Sequence, residues 1–177
     1  ERTLPQALRE AGYATAICGK WHLGHFQQEY LPTKRGFDKQ YGHYNGALDY
    51  NDHTRDGGFD WHRDDKVCRD EGYTTHLLAK EASAIVEAHD AKKPLFLYVP
   101  FNAVHAPLQP SERHAAKLNA ITDEKRRTYA SMMMAMDDAI GAVLGKLRDY
   151  KLEENTLIFF HSDNGGPTPQ TTSKNTP

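Results

Sequence analysis

The sequence predicts an α/β fold in which helices flank a largely parallel central sheet. Predicted helices and strands alternate along the chain, which is the order typical of parallel sheets with helical connections. Two of the strands are continuous apolar runs, as expected of strands that are covered on both faces. A polar loop follows each predicted strand, and open sheets of this kind bind ligands beyond the carboxyl ends of their strands. These three loops are therefore the first place to look for a functional site.

The first helix and strand have clear boundaries in the sequence. Thr3 can cap a helix that Pro5 starts and Gly12 ends. Residues 13–17 form a short apolar run that favours a buried strand. This run leads into residues 19–24, a loop bracketed by glycines.

Residues 25–72 are rich in Gly, Asp, His and aromatic side chains and have no sustained periodicity. They predict long loops with one or two short strands around Tyr41–Tyr44, and they are the best candidate for a loop-rich insertion over the site. Between Asp49 and Asp64 the chain is polar and aromatic, so it either lines a sugar-binding cleft or forms a solvated loop.

The second half of the chain alternates helices and strands more regularly. Apolar side chains at helical spacing predict two helices, and continuous apolar runs predict two buried strands. In chain order, these are a helix beginning at Thr74 or Thr75, a strand over 95–99, a helix over roughly 122–149 and a strand over 156–160. The loops 100–107 and 161–166 follow the two strands.

Composition excludes several classes of protein. The 177 residues fit one domain, and 22 basic against 24 acidic residues argue against a nucleic-acid partner. No apolar run approaches the roughly 18 residues of a membrane span.

Cys18 and Cys68 form no CxxC pattern; they predict two isolated buried thiols, with one disulfide as the alternative. The chain opens without Met and closes on a polar stretch, so we expect a piece of one catalytic domain, truncated at both ends.

Three side chains are candidates for acid–base and electrostatic catalysis. Lys20 and His22 lie two residues apart, and an ammonium beside an imidazole suits a tetrahedral oxyanion. His105, just past a predicted strand, could protonate a leaving group. The alternative is a solvated lysine with two structural histidines.

Asp163 and Asn164 are candidate metal ligands after the last predicted strand. Carboxylate and amide oxygens favour a hard cation such as Ca²⁺ or Mg²⁺. An ordinary Asp-Asn-Gly turn is the alternative, and two ligands alone cannot make a cation site.

Four segments, in order, resemble the sulfatase family, and in particular its arylsulfatase B-like branch within the alkaline-phosphatase-like superfamily. They are Gly12–Thr15 with Gly19–Gly24, Gly36–Asp38 with Tyr41-Gly42, Pro94–Tyr98 with Val104–Gln109, and Ser162–Gly166. The resemblance implies an alkaline-phosphatase-like fold and hydrolysis of a sulfate ester on a glycan or aryl group, with a divalent cation that is usually Ca²⁺. It also implies a formylglycine nucleophile, made from Cys or Ser in C/S-x-P-x-R by a formylglycine-generating or anaerobic sulfatase-maturing enzyme, and an exported location.

The resemblance assigns a role to each candidate. Lys20 would contact the sulfate and the formylglycine, and His22 would bind the hydrate and act as base when it collapses. His105 would contact the sulfate and help protonate the leaving oxygen. Asp163 and Asn164 would ligate the cation.

Neither cysteine lies in a C-x-P-x-R sequence, so the nucleophile and the remaining cation ligands are expected upstream, and the fragment alone is expected to be inactive. Two other functions stay open: a phosphatase or phosphonate hydrolase, and a non-catalytic protein that binds sulfated glycans.

Overall fold

The computed structural model describes residues 1–166, which fold around a five-stranded mixed sheet. The strand order is β6-β5-β2-β1-β7, and the bounds are β1 Ala14–Lys20, β2 Lys39–His43, β5 His62–Arg63, β6 Lys66–Val67 and β7 Leu95–Tyr98. The central strand β1 is parallel to β2 and β7, whereas β5 and β6 extend the sheet in antiparallel fashion. The α/β class is confirmed, and the sheet is parallel at its centre and antiparallel at one side.

Helices connect and cover these strands. They are α1 Leu4–Glu10, α2 Thr74–Glu87, α3 Glu112–Ala115 and α4 Glu124–Asp149, and a separate hairpin pairs β3 Thr54–Arg55 with β4 Gly58–Phe59. Single 3₁₀ turns cover Gln28–Tyr30, Pro32–Lys34 and Glu153–Asn155. No helix within residues 1–166 combines the length and apolar character that a membrane crossing needs.

The first helix begins and ends where the sequence predicts. The Thr3 hydroxyl accepts from the Gln6 amide, and the Gln6 side chain accepts in return from the Thr3 amide, so two otherwise unpaired donors are satisfied. Gly12 takes a left-handed φ of +92°, which stops the helix.

The core lies between the sheet and α2. Trp61 is fully buried there with Cys18 of β1, beside Leu78 and Ala82 of α2. The α4 helix packs on α2 and buries Met132. Cys18 is buried as expected, Cys68 is only half-buried, and both thiols are free.

Residues 25–72 contribute more to the sheet than their composition indicates. β2 forms at the predicted place, and β5 and β6 add two further strands that the sequence analysis missed because each has only two residues. That these residues form an insertion over the site stays a prediction.

The predicted strand over 156–160 is wrong for the described structure. These residues belong to neither sheet, and Leu157, Phe159 and Phe160 are about four-fifths exposed, at 79%, 82% and 79%. An apolar run becomes a buried strand only when a neighbouring strand pairs with it. The predicted burial of β7 on both faces is also wrong, because its residues are half-buried and Tyr98 is exposed.

Candidate active site

Lys20 is the last residue of the central strand, and two glycines set its position. A Cβ atom on Gly19 would lie 2.0 Å from the Pro100 carbonyl oxygen, and one on Gly42 would lie 2.3 Å from the Gly19 oxygen. These strands and the 100–107 loop can therefore approach closely only because the side chains are absent. The Lys20 amide donates to Pro100 O at 2.8 Å, which joins the end of β1 to the loop that carries His105.

His22 lies two residues beyond the strand in a left-handed conformation, with φ of 54°. Its amide donates to Tyr44 O at 3.0 Å, and the preceding amide of Trp21 donates to His43 O at 2.9 Å. Partial burial lowers the pKa of His22, and the charges of Lys20, His105 and His25 lower it further. Both effects favour the neutral ring, which is the form that can accept a proton.

His105 is held by its backbone and leaves its ring exposed. Its amide donates to Asn102 O at 2.8 Å, and the buried Tyr50 hydroxyl lies 2.8 Å from the carbonyl oxygens of both Asn102 and His105. The ring Nδ1 lies 2.7 Å from Ala106 O, so Nδ1 carries the proton and donates. Nε2 is then the nitrogen available to a ligand.

An open groove of about 400 Å³ begins at His105. The residues that line it come from three segments and are mostly polar: Leu48, Asp49, Thr54, Arg55, Asp56, His105, Ala106 and Pro107. Asp49 is tied down, because its carboxylate accepts from the amides of Asn51 and Asp52 and from the Gln109 side chain. Arg55 is exposed at the hairpin tip and pairs with Asp56 at 3.2 Å.

The charges of Lys20 and His105 act on His22, so the structure brings the three predicted catalytic residues together. The two predicted metal ligands have other neighbours among residues 1–166. Asp163 lies near Tyr98, the last residue of β7, where its charge adds to partial burial in raising the Tyr98 pKa. Asn164 is exposed and, among residues 1–166, donates only to Gly165 O, at 2.8 Å. Within residues 1–166, no group of three or more His, Cys, Asp or Glu side chains could hold a metal ion. The oxygen donors suit Ca²⁺, but they form at most part of a site.

The described residues contain no candidate nucleophile of the expected kind. Cys18 is buried in the core, and burial raises the pKa of its thiol far above the usual range. An inert, protonated thiol inside the sheet cannot attack a substrate.

The sequence analysis did not identify three residues near the site, because only the fold brings them there. Gly46 packs against the His22 ring, Asp60 binds the loop that carries Gly46, and His25 adds its charge to the cluster. The polar, aromatic character of residues 49–64 was the only available signal for Asp60 and Arg55.

The profile of the Sulfatase family matches residues 1–177. The chain belongs to the sulfatase family. Arylsulfatase J of Mus musculus is 40% identical over 172 residues, and N-acetylgalactosamine-6-sulfatase of Sus scrofa is 34% identical over 178 residues. Each match covers 93% of this chain but only 29% and 33% of the relative, so the chain spans about a third of the length of these sulfatases.

Solved sulfatase structures share the fold. The crystal structure of Ps i-CgsB in complex with k-i-k-neocarrahexaose superimposes with a TM-score of 0.78 at 30% identity, covering 85% of this chain and 37% of that one. The predicted alkaline-phosphatase-like fold is thereby confirmed.

Proposed function

We propose that residues 1–177 are the central part of a sulfatase catalytic domain and that the full-length protein hydrolyses sulfate esters. The observation that carries this proposal is the clustering of Lys20, His22 and His105 at the carboxyl ends of two parallel strands, in a chain of the sulfatase family. Each of the three has a chemistry that sulfate ester hydrolysis requires.

Lys20 supplies fixed positive charge. Negative charge on the sulfate oxygens and on the leaving oxygen must be stabilised in the transition state, and an ammonium held at the end of β1 does this without reorganisation. His22, whose lowered pKa favours the neutral ring, is the candidate base. His105 can act as the acid when both ring nitrogens are protonated: the imidazolium gives its Nε2 proton to the leaving oxygen and becomes the neutral ring, whose Nδ1–H stays bound to Ala106 O.

We propose that the leaving group binds in the groove beside His105. Because its walls include carboxylate, hydroxyl and guanidinium groups that can bind several hydroxyls, it suits a sugar. The N-acetylgalactosamine-6-sulfatase relatives and the oligosaccharide complex of Ps i-CgsB support a sulfated carbohydrate as substrate.

Two further groups belong to the proposal without being supplied by these residues. A divalent cation, with Ca²⁺ as the expected ion, would take Asp163 and Asn164 as two of its oxygen ligands and would neutralise sulfate charge. The formylglycine nucleophile fits neither cysteine of this chain, so no step is derived through it. We expect it in another segment of the full-length protein, installed by a maturing enzyme.

The test is turnover of p-nitrophenyl sulfate and of a sulfated oligosaccharide by the full-length protein. Lys20→Ala and His105→Ala should each lower kcat/KM by about 100- to 10,000-fold. Lys39→Ala, which removes an exposed lysine at the start of β2, is the matched control and should be unaffected. Preferential turnover of p-nitrophenyl phosphate would favour a phosphatase, and glycan binding without turnover would favour a binding protein.

A further inference from the structure

The His22 ring rests directly on the backbone of Gly46. A Cβ atom at position 46 would lie 2.5 Å from the ring Cε1 and 2.6 Å from Nε2, well inside van der Waals contact. Only glycine therefore leaves room for the ring in this orientation. Since the His22 amide also donates to Tyr44 O, residues 44–46 contact both the backbone and the ring of His22.

A single buried carboxylate holds residues 44–46 in place. Asp60 is 5% exposed and accepts from the amide of Tyr44 at 3.0 Å, from the amide of Asn45 at 2.8 Å and from the Asn45 side chain at 2.9 Å. His62 Nδ1 lies 3.3 Å from the same carboxylate. These bonds outweigh the burial of Asp60 and hold its pKa well below the usual range, so it is charged throughout the physiological range.

We propose that Asp60 is a positioning residue for His22. It touches no reacting atom; it fixes the 44–46 loop, and the loop fixes the plane and depth of the imidazole through Gly46. The proposal rests on the proposed function, in which His22 is the base. Because a displacement of about 1 Å can cost a proton-transfer step about 100-fold, losing this support should lower kcat while leaving substrate binding nearly intact.

The direct test uses two variants of the full-length protein with p-nitrophenyl sulfate as substrate. Gly46→Ala should lower kcat by about 100-fold, because the new methyl group displaces the ring. Asp60→Asn should lower kcat by about 10-fold with KM changed less than about twofold, because an amide cannot accept from all three donors. Asn45→Ala, which removes only one of the donors, is the milder variant if Asp60→Asn does not fold.

Asp64→Asn is the matched control. Asp64 lies four residues further along than Asp60 and also accepts a backbone hydrogen bond, from the Gln40 amide at 2.8 Å, whereas the hydrogen bonds from Tyr44 and Asn45 go to Asp60. Its kcat and KM should match those of the unmodified protein.

A double-mutant cycle separates positioning from a general structural role. In a His22→Ala background, Asp60→Asn should cost less than about twofold, because the ring that it orients is gone. An equal cost in both backgrounds, or unchanged kcat for Asp60→Asn and Gly46→Ala, would overturn the inference. If the unmodified, formylglycine-bearing protein hydrolyses no sulfate ester, the proposed function fails first and the role of Asp60 fails with it.

Discussion

Residues 14–20 and 156–160 are apolar segments of the same kind, and each leads into a loop with chemistry-bearing side chains. The first is β1, the central strand, paired on both sides with β2 and β7. The second belongs to neither sheet and exposes its aromatic rings. The loops differ accordingly. Backbone hydrogen bonds to Pro100 and Tyr44 fix Lys20 and His22, whereas the hydrogen bonds of Asn164 with residues 1–166 stay within its own loop.

This difference shows what an apolar pattern does and does not specify. It specifies that a segment can form a strand, because β-branched and aromatic side chains fit a pleated, buried surface. It does not specify which other segment of the chain pairs with that strand. Precision at a catalytic residue therefore comes from strand partners that are distant in sequence.

The largest effect should come from breaking the contact at the end of β1. Gly19→Ala combines a positive φ of 145° with a Cβ atom 2.0 Å from Pro100 O, so we expect the free energy of unfolding to fall by about 3–5 kcal/mol. The added methyl group of Gly165→Ala, at the other loop, meets nothing within 4 Å among residues 1–166 and should change the free energy of unfolding by less than about 0.5 kcal/mol. Urea unfolding of both variants measures the contrast. Equal changes in the free energy of unfolding would mean that contacts fix the two loops equally firmly.

A buried histidine at the end of β2 should make stability depend on pH. Burial lowers the pKa of His43 from 6.5 to about 4 in the folded chain, so the unfolded chain binds more protons between these values. Stability is then fully present above pH 6.5 and falls by about 3 kcal/mol as the pH drops toward 4.

Thermal unfolding between pH 7 and pH 4 checks this expectation. His43→Gln should flatten the slope, though not completely, because the pKa values of His22 and His76 are also lowered. The depressed pKa of Asp60 makes stability depend on pH only below 3.8, the ordinary pKa of the group, which is outside this window. An unchanged slope in His43→Gln would show that His43 is not the group responsible.

The sequence predicted the elements that depend on residues close together in the chain. These are the capping box of Thr3, the helix end at Gly12 and the amphipathic face of α2. The clustering of Lys20, His22 and His105 followed from the rule that polar loops meet at the carboxyl ends of parallel strands. Strand β5 pairs with β2, about 20 residues earlier, and β6 pairs with β5; with two residues each, neither strand leaves a periodic signal. The hydrogen bonds from Tyr44 and Asn45 to Asp60 span 16 and 15 residues and leave none either.

The groove beside His105 should respond to a change that spares the chemistry. Arg55→Ala should raise KM for a sulfated oligosaccharide by about 10-fold, or about 1.4 kcal/mol, because a guanidinium can bind a second anionic group or sugar hydroxyls. Turnover of p-nitrophenyl sulfate, which has neither a second anionic group nor a sugar hydroxyl for Arg55 to bind, should not change. Arg9→Ala, on α1 and outside the groove, is the matched control. A loss on both substrates would place Arg55 in the chemistry instead of the groove.

The smallest effect should come from the exposed run itself. Phe159 is 82% exposed, so Phe159→Ala should change the free energy of unfolding by less than about 0.5 kcal/mol. Phe37, which is 3% exposed and packs on Trp21 and Phe96, is the matched residue in the core, and Phe37→Ala should cost about 3–5 kcal/mol. If Phe159→Ala instead costs about 2 kcal/mol or more, the ring is packed in solution and residues 156–160 have a partner. Residues 156–160 would then differ from β1 only in the strand with which they pair. Asp163 and Asn164 would be held as firmly as Lys20 and His22.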